Sequence, residues 1–211
     1  MYQPAHFEET RSEVMERLML RYPLALLIHS GPDGVAADPV PMIHDPDGGP
    51  FGCLRGHVAR ANPLWRQMSA QPDVLVVFQG PQAYVSPNWY PTKADHGKVV
   101  PTWNYCIVQA RGPLRVIEDA DWLLRLVTRL TERHEATMQA PWAVGDAPAD
   151  YIAQMLGAIV GFELPIEQLS GKWKVSQNRS AADRAGVADG LDSVSDHTAA
   201  AMAAQVRLPG T

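Results

Sequence analysis

Short apolar runs alternate along the chain with longer amphipathic stretches, and glycine or proline separates most of them. The apolar runs predict β-strands at residues 24–29, 35–43, 51–55, 73–79, 82–86, 99–117 and 158–169, with the strand at 99–117 broken by Gly112-Pro113. The amphipathic stretches predict helices at residues 8–21, 64–70, 119–135, 150–156, 180–188 and 195–206. Turn signals predict hairpins at residues 31–34 and at Gly80-Pro81. Hairpins at this spacing predict an α+β fold, with an antiparallel barrel or sandwich and peripheral helices.

The most informative stretch runs from residue 74 to residue 112, where three apolar runs are joined by segments rich in Trp, Tyr, Asn, Ser and Pro. Aromatic rings with polar tips, held by a proline-stiffened backbone, can form a rigid wall for a planar ligand. The alternative is that the same residues pack as a girdle in a barrel core. The polar and aromatic residues at the predicted strand ends are Ser86, Asn88, Trp89, Tyr90, Thr102, Trp103, Asn104 and Tyr105.

A second informative segment is 56–63, which ends in Asn62-Pro63. This dipeptide predicts an N-cap followed by proline in the first helical turn. A helix start with Arg60 directly before it and His57 nearby suits a phosphate. The alternative is an ordinary capped helix with solvated arginines.

The helix predicted at 119–135 has a stripe of arginines, Arg125/Arg129/Arg133. This stripe fits either a nucleic-acid contact or a solvated face.

Composition narrows the class of protein. The 211 residues are 46% hydrophobic, enough for a core, and the formal net charge of −5 argues against a general polyanion-binding surface. Cys53 and Cys106 have no CxxC spacing and read as small buried hydrophobes. No apolar run reaches membrane-spanning length, and the acidic start is unlike a signal peptide, so we expect a cytoplasmic protein without a membrane partner. We expect one main domain over residues 1–188, then a linker and Ala-rich helical tail over 189–211.

Several catalytic signatures are missing from the sequence. It contains no GxGxxG, GxxxxGK[ST], HExxH or GxSxG motif, and its seven histidines show no metal-ligand spacing. Hydrolytic chemistry and a bound metal therefore have little support, and no catalytic residue is assigned.

Five segments, taken in order, resemble one family. They are Met-Tyr-Gln-Pro-Ala-His-Phe at 1–7, Gly-His-Val-Ala-Arg-Ala-Asn-Pro at 56–63, Tyr-Val-Ser-Pro-Asn-Trp-Tyr at 84–90, Val-Val-Pro-Thr-Trp-Asn-Tyr at 99–105 and Lys-Val-Ser-Gln-Asn-Arg at 174–179. They are similar to the signatures of the PaiB-type group of FMN-binding negative transcriptional regulators. One departure is Gln109, which stands where many relatives are expected to have a histidine.

The resemblance implies a split β-barrel like that of pyridoxamine-phosphate-oxidase-type flavoproteins, and a homodimer that binds FMN in the groove between subunits. It places Arg60 and Asn62, with His57 in support, at the flavin phosphate, and residues 38–43 along the isoalloxazine. It implies a wall for the ring and ribityl chain formed by Ser86, Trp89, Thr102, Trp103 and Asn104. It also lets four residues near the end of the chain reach the groove: Lys172, Lys174, Gln177 and Asn178.

Three functions remain open at this point. The first is an FMN-binding regulator or sensor. The negative net charge and the absence of a visible helix-turn-helix motif give no support for direct DNA binding by such a regulator. The second is an FMN-dependent oxidoreductase that uses a reduced nicotinamide donor, since the cofactor itself carries that chemistry. The third is an interaction dimer that has lost its cofactor, which the retained phosphate-type residues disfavour.

Overall fold

The computed structural model describes residues 1–31, 34–70 and 72–208 and has an α+β fold with antiparallel strands. The strands are β1 (Glu8–Glu9), β2 (Leu24–Gly31), β3 (Gly34–Pro41), β4 (Ile43–Asp45), β5 (Cys53–Ala59), β6 (Asp73–Val85), β7 (Thr102–Pro113), β8 (Arg115–Ile117), β9 (Ile159–Pro165) and β10 (Gln168–Lys174). The helices are α1 (Ser12–Arg21), α2 (Leu64–Ala70), α3 (Lys93–His96), α4 (Ala120–Glu135), α5 (Ala149–Gly157), α6 (Ala181–Asp192) and α7 (His197–Arg207). None of these described helices is long and apolar enough to cross a membrane.

The chain divides into two compact units, each assembled from segments that are distant in sequence. Unit 1 contains Met1–Tyr22, Phe78–Val108 and Ser170–Thr211. Unit 2 contains Pro23–Val77 and Gln109–Leu169. The division predicted between residues 188 and 189 stays a prediction, but helical structure continues past it, because α6 ends only at Asp192.

Unit 2 contains a four-stranded sheet in the order β4-β5-β9-β8 and the strand series β6-β2-β3. In the four-stranded sheet, β5 pairs with β9 along its whole length, from Cys53 opposite Pro165 to Ala59 opposite Ile159. Alternate side chains of these strands are buried, as expected for a sheet with one face on a core. Helix α4 packs Leu126 and Leu130 against Ile43, which buries the apolar stripe that its sequence predicts.

Unit 1 has the strand order β1-β10-β7-β6 and carries helices α1, α3, α6 and α7. Strand β1 pairs with β10, so that Glu8 lies opposite Lys172. Met19 of α1, Phe78 of β6 and Trp173 of β10 are all almost fully buried. Helices α6 and α7 pack against each other. The amphipathic patterns at both ends of the chain are therefore satisfied within one unit.

Local signals predict two helices well. The helix predicted at 64–70 is confirmed as α2, and Asn62 caps it, because its Oδ1 accepts a hydrogen bond from the Leu64 N–H at 2.9 Å. The helix predicted at 119–135 is confirmed as α4, with Asp119 as the N-cap that accepts from the Trp122 N–H at 2.7 Å. The α+β antiparallel class is also confirmed.

The hairpin predicted at Gly80-Pro81 is wrong. Strand β6 runs without interruption from Asp73 to Val85. A Cβ atom on Gly80 would lie 2.7 Å from Leu18 Cδ1 and 3.2 Å from the Cys106 carbonyl oxygen. The glycine therefore allows close packing of neighbouring residues within the strand and does not form a turn.

Other boundaries also shift. Residues 8–21 are not one helix: Glu8–Glu9 is a strand and α1 begins at Ser12, because the Glu9 carboxylate accepts the Arg11 N–H and holds its guanidinium. Residues 158–169 hold two strands, β9 and the start of β10, which separate where Ile166 N–H bonds to the Gly52 carbonyl. The strand predicted at 51–55 begins at Cys53 and continues to Ala59. The turn predicted at 31–34 includes Pro32 and Asp33, which lie outside the described residues.

Candidate functional site

Three of the predicted phosphate-binding residues lie in unit 2, around the end of β5. His57 is on β5 opposite Gly161 of β9. Burial lowers the pKa of its imidazole from the ordinary 6.5, and its Nδ1 atom is buried without a hydrogen-bond partner among the described residues. Burial therefore favours the uncharged imidazole, so that His57 would offer a phosphate less positive charge than a solvated histidine does.

The guanidinium of Arg60, which follows β5, already has hydrogen-bond and ionic partners within the chain. Its Nε donates to the Gly157 carbonyl at 2.8 Å and its Nη2 to the Ile159 carbonyl at 3.2 Å. Its Nη1 forms an ion pair with the Glu118 carboxylate. A phosphate would have to compete with Glu118, so the assignment of Arg60 to the phosphate stays a prediction, and the side chain has a second role in tying β5 to its neighbours.

Asn62 connects the start of α2 with Asp38 of β3, which belongs to the segment predicted to run along the isoalloxazine. Its Oδ1 caps α2, and its Nδ2 lies 3.5 Å from Asp38 Oδ1. Asp38 Oδ2 is in turn 3.7 Å from His29 Nε2. The structure thus brings Asn62 and Asp38 together, although both contacts are long for hydrogen bonds.

Seven predicted site residues lie in unit 1, and the structure joins two of them through Lys174. The Lys174 Nζ donates to the Thr102 hydroxyl and to the Trp103 carbonyl. Trp103 is 54% exposed, so it is not the buried core residue that the girdle alternative requires. Lys174 on β10 therefore contacts the backbone of Trp103 on β7, whose side chain is exposed.

The positive charge around Lys174 is not balanced. Burial lowers the pKa of Lys174, and the positive charges of Lys172 and Arg179 lower it further. No carboxylate forms an ion pair with Lys174, Lys172 or Arg179 among the described residues. Lys172 instead donates to the Tyr2 carbonyl at 3.0 Å, and the Arg179 guanidinium lies 4.8 Å from the centre of the Tyr90 ring. A bound anion would relieve the mutual repulsion of the three cations.

The segment after Lys174 is held in an unusual conformation. Ser176 has a φ angle of +66°, which non-glycine residues seldom adopt and which often marks a functional constraint. Its hydroxyl accepts a hydrogen bond from Asn104 Nδ2 at 2.9 Å, and Asn104 is only 1% exposed. Gln177 folds back to accept from the Val175 N–H at 2.8 Å and to donate to the Trp173 carbonyl. Asn104 and Gln177 therefore stabilise the turn that directly follows Lys174.

The remaining predicted residues of unit 1 line one cavity of about 400 Å³. Trp89, Trp103 and Ser86 contribute to its wall, together with the N-terminal residues of α7. The Ser86 hydroxyl accepts from the Asn88 N–H at 3.2 Å, and Trp103 meets Tyr84 edge to face with ring centres 6.1 Å apart. An aromatic wall with a nearby cationic group can receive a planar anionic ligand.

Sequence reasoning left three contributors out of the predicted site. Ser176 was overlooked because its importance lies in a backbone conformation that composition does not reveal. Arg179 and Tyr90 were not assigned, although the proximity of cations at 172, 174 and 179 in the sequence is a visible signal. Among the described residues no group of three or more His, Cys, Asp or Glu side chains is arranged to hold a metal ion.

Comparison with known proteins gives the class to which this site belongs. Residues 1–168 match the sequence model of a family described as "Putative FMN-binding domain". The chain therefore belongs to this FMN-binding family, which confirms the resemblance found in the sequence. FMN is its cofactor.

Individual relatives are similar in sequence, and a solved structure is similar in fold. The protease synthase and sporulation protein PAI 2 of Bacillus subtilis is 30% identical over 203 residues, which cover 96% of this chain and 95% of that protein. An uncharacterized protein of Emericella nidulans is 32% identical over 245 aligned positions, covering 100% of this chain and 98% of its own. The flavocytochrome Anf3 from Azotobacter vinelandii has a similar structure, with a TM-score of 0.58 at 14% identity over 79% of this chain and 69% of that one. The chain has the split β-barrel fold that was predicted.

The residues of unit 1 fit FMN chemically. FMN combines a phosphate dianion with a flat aromatic ring, and unit 1 offers unbalanced cations beside an aromatic-lined cavity. The hydroxyl of Thr102 and the amine of Lys174 supply donors at the point where these two features meet.

Proposed function

We propose that this protein is a homodimeric FMN-binding sensor or regulator of the PaiB kind. The observation that carries the proposal is the cationic group around Lys174, which has no acidic partner among the described residues and in which Lys174 donates to the backbone carbonyl of the exposed residue Trp103. The similarity to the sporulation protein PAI 2 supports the regulatory part. We also expect a cytoplasmic location.

In the proposed binding mode, Lys174 holds the anionic end of FMN, and Lys172 and Arg179 add to the local positive potential. The donors of Thr102 and Lys174 orient the phosphate, since charge-assisted hydrogen bonds are the stronger ones. Trp89 and Trp103 provide apolar faces that exclude water from the ring. Bound FMN would supply electron-transfer chemistry or a redox-sensitive ligand state, while the protein binds and orients it. Arg60, Asn62 and His57 remain further candidates for flavin contacts.

The homodimer is supported by the outer face of the hairpin β2–β3 in unit 2. Antiparallel register places cross-strand partners on the same face of a sheet. The partners here pair Leu24 with Pro41, Leu26 with Pro39 and Ile28 with Ala37. Leu24 is 63% and Leu26 40% exposed. The described residues of this face include no charged side chain. An exposed apolar sheet face is typical of an interaction surface, and we propose a second copy of this chain as its partner.

Direct operator binding has less support than the sensor role. The chain carries a net charge of −5, and Arg129 of the predicted arginine stripe is paired with Asp45 at 3.3 Å. Neutralised arginines contribute little to phosphate-backbone binding. We therefore propose that regulation acts through the flavin-bound protein and its partners. A mobility shift with DNA at low salt would contradict this part of the proposal.

The decisive experiment compares Lys174→Ala with the exposed control Lys98→Ala. After FMN is added and free flavin is removed by gel filtration, the wild type and Lys98→Ala should retain the flavin absorbance band. Lys174→Ala should bind FMN more weakly by about tenfold to a hundredfold, the usual value of a lost hydrogen bond to a charged group. Unchanged affinity in Lys174→Ala would remove this residue from the flavin site.

The same preparation separates a sensor from an enzyme. The flavin-loaded protein is mixed with NADH or NADPH in air, and nicotinamide absorbance is followed. A sensor should show at most slow stoichiometric reduction. Sustained turnover that is lost with the flavin would make the protein an FMN-dependent oxidoreductase instead.

A further inference from the structure

Unit 1 contains a second cavity, of about 600 Å³, that shares no residue with the predicted flavin site. Helix α1 forms one side of it and helix α7 the other, and residues of β6, β7 and β10 contribute to the rest. Its volume is within the range of about 300–1,000 Å³ that is typical of small-molecule pockets.

The inner part of this cavity is apolar. Leu18, Cys106 and Trp173 contribute to its lining, and each is at most 6% exposed. The small side chains of Ala201 and Ala204 on α7 also line it and leave the space open. The Trp173 indole N–H is already used, because it donates to Gln205 Oε1 at 3.2 Å. The lining therefore favours a hydrocarbon or aromatic body over a hydrated one.

The α1 side of the cavity is cationic. Arg11, Arg17 and Arg21 all line it. Arg11 is paired with the Glu9 carboxylate at 2.5 Å, but Arg17 and Arg21 have no ion pair among the described residues. These two arginines are four residues apart on one helix, so they are neighbours on its surface and repel each other.

We propose that this cavity binds an amphipathic carboxylate, a molecule with an apolar chain or ring that ends in one carboxylate group. The apolar body would lie against Leu18, Trp173 and the two alanines. The carboxylate would accept hydrogen bonds from Arg17 and Arg21, whose planar guanidinium groups match carboxylate geometry. The ligand would cancel the repulsion between the arginines while its chain leaves water. The site goes beyond the proposed function, because it does not depend on flavin binding, and it would give the sensor a second input.

The first test is a calorimetric titration of the full-length, flavin-loaded protein with octanoate, 1-octanol and inorganic phosphate. Octanoate should bind, and 1-octanol should bind at least about tenfold more weakly because it lacks the charge. Inorganic phosphate, which has no apolar body, should give no heat of binding at the same concentration. Equal affinity for octanoate and 1-octanol, or no binding of octanoate at millimolar concentration, would overturn the proposal.

Two variants with matched controls locate the site. The double variant Arg17→Gln/Arg21→Gln should weaken octanoate binding by about tenfold or more, whereas Arg125→Gln, on the exposed face of α4, should not. Ala204→Leu should fill the cavity and abolish binding, whereas Ala200→Leu on the same helix α7, which does not line the cavity, should leave it unchanged. Wild-type affinity in both the double variant and Ala204→Leu would overturn the assignment.

Flavin absorbance is recorded for every variant. Retained flavin together with lost octanoate binding supports the carboxylate site independently of the flavin site. Wild-type octanoate binding in a protein that holds no flavin would instead contradict the proposed function and leave the carboxylate site intact.

Discussion

Two cations of the predicted site, one in each unit, have opposite surroundings. Arg60 donates to two carbonyl groups and pairs with Glu118, so its charge is already balanced. Lys174 donates only to a hydroxyl and a carbonyl, and two other cations act on it. A phosphate gains most from the cation that lacks a counter-charge, which is why we propose Lys174 rather than Arg60 as the main phosphate ligand.

Replacement of Arg60 by alanine tests this contrast. We expect the free energy of unfolding to fall by about 1–3 kcal/mol, because the Gly157 and Ile159 carbonyls lose their partner; the exposed pair with Glu118 adds little. FMN affinity should fall less than in Lys174→Ala. Denaturant unfolding and flavin titration measure the two effects. A variant with normal stability and lost flavin would restore Arg60 to the phosphate site.

Asp45 gives a prediction that depends on pH. Burial acts to raise the pKa of its carboxyl, but the Asp47 N–H, Arg129 and Arg55 lower it by more in total, so that it falls below the ordinary 3.8. A carboxyl whose pKa is depressed by folding stabilises the native state above its unfolded pKa, and this contribution is lost as the pH falls through the folded pKa.

Asp45→Asn should therefore destabilise the protein by about 1.5–3 kcal/mol at pH 7. The difference from the wild type should persist at pH 5 and shrink as the pH falls past 3.8, where the carboxyl is half protonated in the unfolded chain, toward the lower pKa of the folded state. Urea unfolding at several pH values measures it, with the exposed Asp95→Asn as a control that should stay near the wild type. A difference independent of pH would show that the charge is not responsible.

At the scale of elements, glycines decide how helix α6 meets the aromatic wall. A Cβ atom on Gly190 would lie 2.3 Å from Trp89 Cδ2, and one on Gly186 would lie 2.1 Å from the Trp89 carbonyl oxygen. The two glycines are four residues apart and so face the same side of the helix. They allow α6 to pack directly on Trp89, which lines the cavity proposed for the flavin ring.

Gly190→Ala should displace the Trp89 ring. Overpacking costs about 1–3 kcal/mol, and the better helix propensity of alanine returns only about 1 kcal/mol, so we expect a net loss of stability with a changed tryptophan fluorescence. The matched control is Gly157→Ala in α5, where a Cβ atom would meet nothing within 4 Å; it should be neutral or stabilising. If Gly190→Ala were as stable as the control, α6 would not be held on Trp89.

At the scale of the whole molecule, assembly and cofactor are linked by the proposed dimer face on β2–β3. If flavin lies in a groove between subunits, a protein that cannot dimerise should also lose FMN. Leu26→Asp introduces a charge in the middle of the apolar face and should give a monomer without flavin. Light scattering after gel filtration and the flavin absorbance band measure both properties in one experiment.

The control for this prediction is Leu124→Asp, which changes a leucine on α4 with a similar exposure of 38%. It should remain a dimer that contains flavin. A Leu26→Asp protein that is still a dimer would show that β2–β3 is not the interface. A proven monomer that retains FMN would show that one chain binds the flavin alone.

Local signals in the amino-acid sequence were enough to predict two helices and the family. Helices α2 and α4 follow from apolar periodicity and from the caps Asn62 and Asp119, because such signals act within one or two turns of the chain. The five family segments predicted FMN and the split barrel, both of which are confirmed.

Which charged side chains lack an ionic partner, and which glycines lie in turns, depends on contacts that form only in the folded chain. Glu118 neutralises Arg60 across 58 positions of sequence, and Lys174 meets Thr102 across 72. Gly80 lies within a continuous strand because Leu18 and Cys106 pack against it. The local sequence around Arg60 or Gly80 carries no record of these partners, because long-range pairing sets them. Electrostatic balance and close packing therefore depend on neighbours that only the folded chain supplies.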